Sequence, residues 1–466
     1  MLYSKRYIAS ILIEASTPLN ISSGEKNILT DSVIITDANG LPMIAGTSIT
    51  GVLRSGILID SKLKDAIFGF QEEKRDDGLG SRIIVSNGHF VGKHSKTIEG
   101  LDKIDWNDDF YRKFKYLPIR QHTKISDKGA AEDYGKFDEQ VVYKGTRFRF
   151  ELELIGNSDD DNNWNKILNH LNNADFRIGG GSRKGFGEIK IIDIKHRCFD
   201  LKLELDKYLE KTSSLNNLSH LTNFTLNKEN NLTNWVQYKL KIEPEDLWLF
   251  SSGLSDDEAD IIPVYEDEIQ WKDNESPEFT KDKRLLIPAS SIKGAISHRT
   301  AYYHNKLCKK FADKLLKNQR EDIICEKNDA VKALFGYALD NDRDKNQCDN
   351  KDQEKCDNKN KGQRGNVIFS DFFMETKESL KILNHVTIDR FTGGTIDGAL
   401  FDEKVVNDAQ EITFTFSVLR SVLQDNTIKE SLELTLNDIC SGMLPLGGGV
   451  MRGHGCFKGQ WEKINE

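Results

Sequence analysis

The sequence predicts an α+β fold that occurs twice in tandem along a chain of 466 residues. Two observations indicate the fold within each half: some segments alternate apolar and polar residues with the period of strands, and others place apolar residues at helical spacing. A third indicates the tandem arrangement, because a series of short motifs recurs in the same order in both halves. Each half is therefore expected to contain an antiparallel sheet packed against helices.

The repeated motifs define where the two copies lie. The paired segments are residues 13–14 with the Ser-Ser-Gly at 22–24 and residues 242–243 with the Ser-Ser-Gly at 251–253, then 44–51 and 287–294, 66–70 and 333–337, 84–87 and 368–371, 137–142 and 401–406, and 179–187 and 447–455. The offset between partners drifts along the chain, as loop insertions would make it drift. We predict a first domain at residues 1–198, a linker at 199–235 and a second domain at 236–466 with a polar surface insertion at 340–363.

Individual elements follow from the same patterns. The predicted strands are residues 7–13, 147–154, 188–194 and 411–418. The predicted helices are residues 52–68, 163–171 and 295–316. The first and third of these helices are expected to begin after a Ser-Ile-x-Gly motif that occurs in both copies.

The composition excludes several classes of protein. Hydrophobic residues make up 38% and charged residues 30%, which supports buried cores and argues against a disordered chain. No apolar run approaches the ~18 residues of a membrane span, and seven cysteines without an export signal suggest reduced thiols. We therefore expect a cytoplasmic protein without a membrane partner.

The charge distribution excludes a generally basic nucleic-acid binder. The net charge is −9, and residues 1–235 carry 33 basic and 33 acidic side chains, so the excess acid lies in the second half. Any RNA binding must rest on local grooves and backbone donors, because the overall field does not attract a polyanion.

A triple-glycine segment closes each copy, at residues 179–187 and 447–455. A strand pattern follows the first one, whereas a dinucleotide-binding glycine turn opens a helix, which excludes that class of site. Glycines allow backbone N–H groups to approach phosphates closely, and Arg183, Lys184 and Arg452 add charge beside them. A tight turn between core elements is the alternative interpretation.

The segment at residues 285–295 and the terminal Gly-Gly-Gly-x-x-Arg-Gly-x-Gly motif resemble the RAMP superfamily of CRISPR proteins. Both copies resemble backbone subunits of type III effector complexes, and the tandem chain is similar to the fused backbone proteins of III-D-like systems. The resemblance implies two modified ferredoxin-like (RRM-like) domains that bind guide RNA (crRNA) and target RNA. It also implies assembly with other RAMP backbone subunits and with the large and small subunits of the complex.

The resemblance also implies which residues contact RNA. They are Thr47, Ser48, Arg54, Gly179, Gly180, Gly181, Arg183, Lys184, Ser290, Ser291, Lys293, Arg299, Arg390, Gly447, Gly448, Gly449 and Arg452.

In this family a β-hairpin thumb reaches across the neighbouring subunit and flips out a nucleotide. The matching segment here is residues 385–406, with a less regular counterpart at residues 122–142. Apolar thumb residues wedged between bases would kink the strand, as cleavage at that step requires. An ordinary solvent-exposed hairpin is the alternative.

Cleavage of target RNA in the family depends on an aspartate in the loop after the first strand. Counting seven residues from Gly24 and from Gly253 gives Asp31 and Asp260. Such a carboxylate could hold a divalent cation, Mg²⁺ or Mn²⁺, or orient the RNA 2′-hydroxyl for in-line attack on its own phosphate. The alternative is an aspartate that caps a turn. Asp260 differs in having acidic neighbours and a longer gap to the next motif.

A second metal site is a weaker prediction. Cys308, Cys325, Cys348 and Cys356, with His298 or His304, lie in a part of the second copy that corresponds to a zinc-holding lid in some relatives. The resemblance implies a structural zinc there on three cysteines and one histidine, although no Cys-x-x-Cys spacing occurs, and free thiols are the alternative.

Three functions are compatible with this sequence. The leading one is a tandem backbone subunit that binds guide RNA and cleaves target RNA at two sites. The second is a non-catalytic crRNA-binding scaffold with the same fold. The third is a repeat-processing RAMP endoribonuclease, whose general base is usually a His, Tyr or Lys. The expectation that no histidine recurs at equivalent positions in the two copies argues against it.

Overall fold

Strands and helices follow the same order in both halves of the chain. The structure, a computed structural model, describes residues 3–28, 30–72, 78–227, 234–338, 362–375 and 379–465. The strands of the first half are β1 (Lys5–Ala15), β2 (Phe70–Gln71), β3 (Gly78–Leu79), β4 (Ile83–Val85), β5 (His89–Val91), β6 (Ile119–Ile125), β7 (Ala131–Gln140), β8 (Arg147–Gly156), β9 (Ile189–Asp200) and β10 (Thr222–Asn223). Its helices are α1 (Gly46–Gly56), α2 (Ser61–Phe68), α3 (Asp109–Arg112), α4 (Asp161–His170) and α5 (Leu205–Leu209).

The second half repeats this plan with additional short strands. Its strands are β11 (Trp235–Pro244), β12 (Tyr265–Glu266), β13 (Ile269–Lys272), β14 (Ser276–Phe279), β15 (Arg284–Ile287), β16 (Gly336–Tyr337), β17 (Gln363–Arg364), β18 (Val367–Phe369), β19 (Phe372–Met374), β20 (Leu380–Ile388), β21 (Thr395–Val406), β22 (Ile412–Leu419) and β23 (Phe457–Lys463). Its helices are α6 (Ala289–Leu307), α7 (Lys317–Glu321), α8 (Asp329–Phe335) and α9 (Asn426–Cys440). Residues 340–361 of the predicted polar insertion lie outside the described residues.

The main sheets of the two repeats have the same topology. In the first, antiparallel strands run in the order β9-β1-β8-β4, with β10 added at the β9 edge, and in the second the order is β23-β11-β22-β18. The cores beneath include Ile49 and Trp164 in the first repeat and Ile296 and Leu436 in the second, from one pair of helices each. This confirms the predicted α+β class with two ferredoxin-like domains.

The predicted helix boundaries need correction. Helices α1 and α6 begin two residues before the Ser-Ile-x-Gly motif rather than after it, because Asn87 Oδ1 accepts the Gly46 N–H at 3.0 Å and Asp371 Oδ1 accepts the Ala289 N–H at 2.9 Å. The predicted helix at residues 52–68 is two helices, since Asp60 caps a new one by accepting the Lys62 N–H. The other predicted helix, at residues 295–316, ends at Leu307.

Each repeat also carries a long hairpin. Strands β6 and β7 form the first hairpin, and strands β20 and β21 form the second. The strand pairing shifts register between Thr123 and Ile125 in the first hairpin and between Val386 and Ile388 in the second. The first hairpin lies against the second repeat, where Arg120 of β6 is buried between Glu266 and Asp371 and bonds to both carboxylates.

A shorter hairpin runs in the opposite direction, from the second repeat onto the first. Ile269 of β13 belongs to the core of the first repeat. Trp271 Nε1 donates to the Gly145 carbonyl at 2.8 Å, and the Arg147 guanidinium lies 4.0 Å from the centre of the Trp271 ring. The two repeats therefore hold each other through reciprocal hairpins, and the longer gap noted after Asp260 contains the second of these hairpins.

Part of the segment predicted as a linker packs on the first repeat. Thr222 and Asn223 pair with β9, and Phe224 packs against the first core. Glu99 accepts hydrogen bonds from Leu215 N–H and from the Asn216 side chain, and although burial opposes ionisation, these bonds and one from Ser214 lower the pKa of Glu99. In the part of the chain that the structure describes, no helix is long and apolar enough to cross a bilayer.

Candidate RNA interface and cleavage sites

The two predicted catalytic aspartates lie in equivalent places at the bases of the long hairpins. The Asp31 N–H donates to the Asp138 carbonyl at 3.1 Å, and the Asp138 N–H donates back to Asp31 Oδ2 at 3.3 Å. In the second repeat the Asp260 N–H donates to the Asp402 carbonyl, and the Asp402 N–H donates to Asp260 Oδ2, both at 3.0 Å. Each carboxylate is thus oriented by one amide of the second hairpin strand and is otherwise exposed.

The surroundings of the two aspartates differ in charge. Lys26 Nζ lies 3.7 Å from Asp31 Oδ1 at the protein surface. In the second repeat Lys404 Nζ pairs with Asp256 Oδ2 at 2.5 Å and with Glu258 Oε2 at 2.7 Å, and the hydrogen bond from Lys404 lowers the pKa of Asp256. Two of the acidic residues that the sequence places near Asp260 therefore share one lysine, which offsets half of their charge.

The hairpin register reveals a repeated histidine that sequence comparison missed. His122 faces Phe137 across the first hairpin, and His385 faces Phe401 across the second. Each histidine ring stacks on its phenylalanine with ring centres 4.9 Å apart. The expectation that no histidine recurs is wrong, because the offset between repeats differs by one residue between the two arms of the hairpin.

A glutamate connects each histidine to the glycine-rich segment, and the one in the second repeat is buried. Glu403 is fully buried and bonds to His385 Nε2 at 2.7 Å, to His454 Nε2 at 2.9 Å and to Arg452. Burial opposes ionisation of Glu403, but Arg452, His454 and His385 lower its pKa below the ordinary value. The predicted RNA contact Arg452 therefore has an internal carboxylate partner.

The first repeat has the same arrangement with weaker contacts. His122 Nε2 lies 3.3 Å and Lys184 Nζ lies 4.0 Å from the Glu139 carboxylate. Burial raises the pKa of Glu139, but His122 and Lys184 outweigh it, and the net shift is downward. Lys184 Nζ also lies 4.6 Å from the centre of the Phe137 ring. Lys184 and Arg452 occupy the same place in the glycine-rich motif.

Several glycines of the triple-glycine segments are required by the fold itself. Gly179 and Gly447 have φ of 91° and 94°, and a Cβ there would overlap the carbonyl of Asn20 or Leu249. The amides of the next glycines are also used internally, since Gly180 and Gly448 donate to those same two carbonyls. The turn interpretation therefore explains these four glycines, and their predicted contact with RNA stays a prediction.

The donors left for a ligand are the next three amides. Within the described residues, the N–H groups of residues 181–183 and 449–451 have no backbone acceptor. Successive free amides at a turn with left-handed glycines form a concave anion-binding surface. Both segments therefore offer the kind of backbone site that phosphate contact requires.

Basic side chains from both repeats converge beside the first glycine-rich segment. Arg183 Nε donates to the Gly365 carbonyl at 2.9 Å, and Arg364 donates to Ser182 Oγ at 2.9 Å. Burial and the nearby Arg364 and Arg177 lower the pKa of Arg183 to about 9. Burial and the nearby Lys184 and Arg183 lower the pKa of Lys293 to about 8, although Glu326 opposes this shift.

Burial is the main cause of both lowered pKa values, and the neighbouring basic groups add to it, so Arg183 and Lys293 are desolvated cations close to other positive charges. We call the set Arg177, Arg183, Lys184, Lys293 and Arg364 the junction cluster. An anion bound there would relieve the repulsion, which is the electrostatic requirement for a phosphate site. The participation of Arg177 and Arg364 was not anticipated, because neither belongs to a repeated motif.

The remaining predicted RNA contacts are spread over the two helices and the hairpin tip. Thr47, Ser48, Ser290 and Ser291 lie in the first turns of α1 and α6. Two further predicted contacts have acidic partners: Arg54 pairs with Asp65 at 2.9 Å, and Arg299 pairs with Asp438 at 2.5 Å. Their contact with RNA stays a prediction.

The hairpin tips present exposed apolar side chains. Phe391 is fully exposed at the tip of the second hairpin with exposed Arg390 beside it, and Tyr134 is fully exposed at the register shift of β7, near the tip of the first. Val386 and Ile388 extend the apolar surface along the second hairpin. Large aromatic side chains without cover have the shape and chemistry needed to separate stacked bases.

The zinc ligands do not converge among the described residues. Cys308 Sγ lies 3.6 Å from His304 Nε2, but no group of three or more His, Cys, Asp or Glu side chains suited to a metal ion is present in the described ranges. Cys348 and Cys356 lie outside those ranges. The described residues alone do not fit a structural zinc.

Comparisons with known proteins agree with this architecture. A sequence model of the RAMP superfamily matches residues 12–190 and 272–458, one range in each repeat. The chain is also 26% identical over 205 residues to the CRISPR system Cms endoribonuclease Csm3 of Methanocaldococcus jannaschii, an alignment that covers 40% of this chain and 79% of that protein. The chain therefore belongs to the RAMP superfamily and contains two copies of the family's fold.

Proposed function

We propose that this chain is a tandem backbone subunit of a type III CRISPR ribonucleoprotein, which binds guide RNA and cleaves complementary target RNA at one site in each repeat. The observation that carries the proposal is the equivalence of Asp31 and Asp260, each oriented by an amide at the base of the hairpin that contacts a glycine-rich segment. The similarity to a protein named as a CRISPR endoribonuclease supports it. Its partners are crRNA, target RNA, other RAMP backbone subunits, and the large and small subunits of the complex.

The guide strand is proposed to follow the glycine-rich segments and the junction cluster. Phosphate groups would accept hydrogen bonds from the amides of residues 181–183 and 449–451 and would neutralise the junction cluster. These contacts are independent of sequence, as a protein that accepts many guides requires. The overall negative charge of the chain does not prevent this, because the basic groups are local.

Cleavage needs a kinked target strand and a positioned carboxylate. The exposed aromatic residues at the hairpin tips separate neighbouring bases, so that the 2′-hydroxyl can attack the adjacent phosphate in line. The O–P bond formed by the 2′-oxygen replaces the bond to the 5′-oxygen, which leaves with a proton. The products are a 2′,3′-cyclic phosphate and a 5′-hydroxyl end.

The arrangement at Asp31 and Asp260 is compatible with a divalent cation shared with RNA. A single exposed carboxylate suits Mg²⁺ or Mn²⁺ bound mainly through water and substrate phosphate, and does not suit an all-protein cage. Such a cation would neutralise charge on the phosphate. Among the described residues, Asp31 or Asp260 would hold it, and Asp138 or Asp402 would fix the carboxylate through its backbone amide.

The test is a ribonucleoprotein purified through this chain. We expect co-purified short RNAs with a uniform 5′ repeat sequence, and two cuts in an end-labelled RNA complementary to the guide. Bound but intact target would establish the scaffold function instead, and a preparation without RNA would contradict the proposal.

Replacing Lys293 with glutamine should weaken guide binding without abolishing it. Lys293 contributes one charge to the junction cluster, so the slope of log affinity against log salt concentration should fall by about 1. Fluorescence anisotropy of the full chain with a single-stranded RNA in a KCl series measures it. Lys463→Gln, which removes a lysine of β23 outside the junction cluster, is the matched control.

The same lysine should make guide binding depend on pH. Because the pKa of Lys293 is lowered to about 8, half of its charge is lost at that pH, and affinity should fall as the pH rises through 8. Lys293→Gln should flatten this fall. An identical pH profile for the variant would exclude Lys293 from the guide contact.

A further inference from the structure

We propose that an arrangement found at the base of both hairpins positions the cleavage aspartate in response to guide RNA at the glycine-rich segment. This arrangement, the hairpin-base cluster, consists of a histidine, a phenylalanine, a glutamate and a basic residue. Its members are His122, Phe137, Glu139 and Lys184 in the first repeat, and His385, Phe401, Glu403 and Arg452 in the second. The inference rests on the proposed function and extends it to the control of each cut.

The glutamate is the centre of the cluster. Glu403 is fully buried, and a buried carboxylate is costly unless hydrogen-bonded and paired with opposite charge. It contacts β20 through His385, at 2.7 Å, and the glycine-rich segment through His454 and Arg452. Three elements therefore share one carboxylate.

The same four kinds of residue form this cluster in both repeats, which indicates a shared role. The first repeat keeps the stacked histidine and phenylalanine, the glutamate and the basic residue, although Phe186 replaces His454. The basic side chain also lies over the phenylalanine ring in both repeats, at 4.6 Å for Lys184 and 5.5 Å for Arg452. The common elements are therefore the four that define the cluster.

The strand segment that carries the cluster also holds the aspartate. Asp402 lies between Phe401 and Glu403, and its amide donates to Asp260 Oδ2 while its carbonyl accepts the Asp260 N–H. A small tilt of this segment moves the Asp260 carboxylate with it. A displacement of about 1 Å at a reacting group can cost 10²-fold in rate.

The basic residue connects this segment to the guide. Arg452 follows the three free amides of its glycine-rich segment, so a phosphate bound there lies close to it. The guanidinium can contact a phosphate and Glu403 together, because it has five donors in a planar fork. Guide binding would thereby fix Arg452, Glu403, the strand segment and Asp260 in one arrangement.

The experiment compares single variants in the assembled ribonucleoprotein at saturating target. Glu403→Gln and His385→Gln should slow the cut assigned to the second repeat by about 10- to 100-fold, and leave the other cut, the half-saturating target concentration and the amount of bound guide unchanged. Glu139→Gln should slow only the cut of the first repeat. Glu433→Gln, which removes a glutamate paired with Lys463 outside the cluster, is the control.

Each outcome supports or contradicts the inference. Normal cutting by Glu403→Gln and His385→Gln, with loss of one cut in Asp260→Asn, would refute the positioning role and leave the proposed function intact. If the Asp31→Asn variant and the Asp260→Asn variant each still made both cuts, the proposed function itself would be refuted. Equal slowing of both cuts would show a general structural role. If Glu403→Gln fails to fold, His385→Gln, which keeps an amide donor, carries the test.

Discussion

Replacing Arg120 with leucine is expected to lower the free energy of unfolding by about 3–5 kcal/mol, because it leaves two buried carboxylates without a counter-charge. Arg120, Glu266 and Asp371 are all buried where the first hairpin meets the second repeat. Burial opposes the charge of Arg120, but the two carboxylates outweigh it and raise its pKa. Urea denaturation followed by tryptophan fluorescence measures the loss.

Two comparisons separate this effect from the loss of any ion pair. Arg54→Leu breaks a half-exposed pair with Asp65, and should cost under about 1 kcal/mol. Adding Glu266→Gln and Asp371→Asn to Arg120→Leu should restore part of the stability, since the uncompensated charges are then removed. Equal losses for Arg120→Leu and Arg54→Leu would contradict the role assigned to this contact.

Asp31→Asn and Asp260→Asn are each expected to abolish one of the two cuts, with a loss of about 10³-fold or more in its rate. Asparagine keeps an oxygen that can accept the hairpin amide, so the loop should keep its conformation while the negative charge is lost. Mapping fragments of an end-labelled target assigns each cut to a repeat. Binding of the target should be unchanged.

The matched control lies in the loop of the second aspartate. Asp256→Asn removes a carboxylate close in sequence to Asp260 but paired with Lys404, and both cuts should persist. Loss of a cut in this variant would show that the acidic loop as a whole, rather than Asp260, carries the chemistry.

Internal duplication made much of the fold and the aspartate positions predictable. Asp31 and Asp260 each lie seven residues after the glycine of a shared Ser-Ser-Gly motif. The structure places them beside equivalent hairpin residues, Asp138 and Asp402. The strands were predictable because one face is buried and the other is polar, which imposes a period of two.

Features that depend on distant pairing were not predictable. Arg120 and Asp371 are 251 residues apart, and no repeated motif contains Arg120. His122 and His385 became comparable only through strand register, because the second hairpin has a tip one residue longer. Helices α1 and α6 begin early because Asn87 and Asp371, each in a short connection between two strands, accept hydrogen bonds from their first amides.

The hairpin of β13 and β14 has a mechanical consequence. It inserts Ile269 and Trp271 into the first repeat while Arg120 anchors the first repeat to the second, so hinge motion between the halves would have to break both contacts. These contacts hold the two repeats, and with them Asp31 and Asp260, at a fixed separation. The number of nucleotides between the two cuts should therefore be constant whatever the guide sequence, and fragments of neighbouring lengths should be rare.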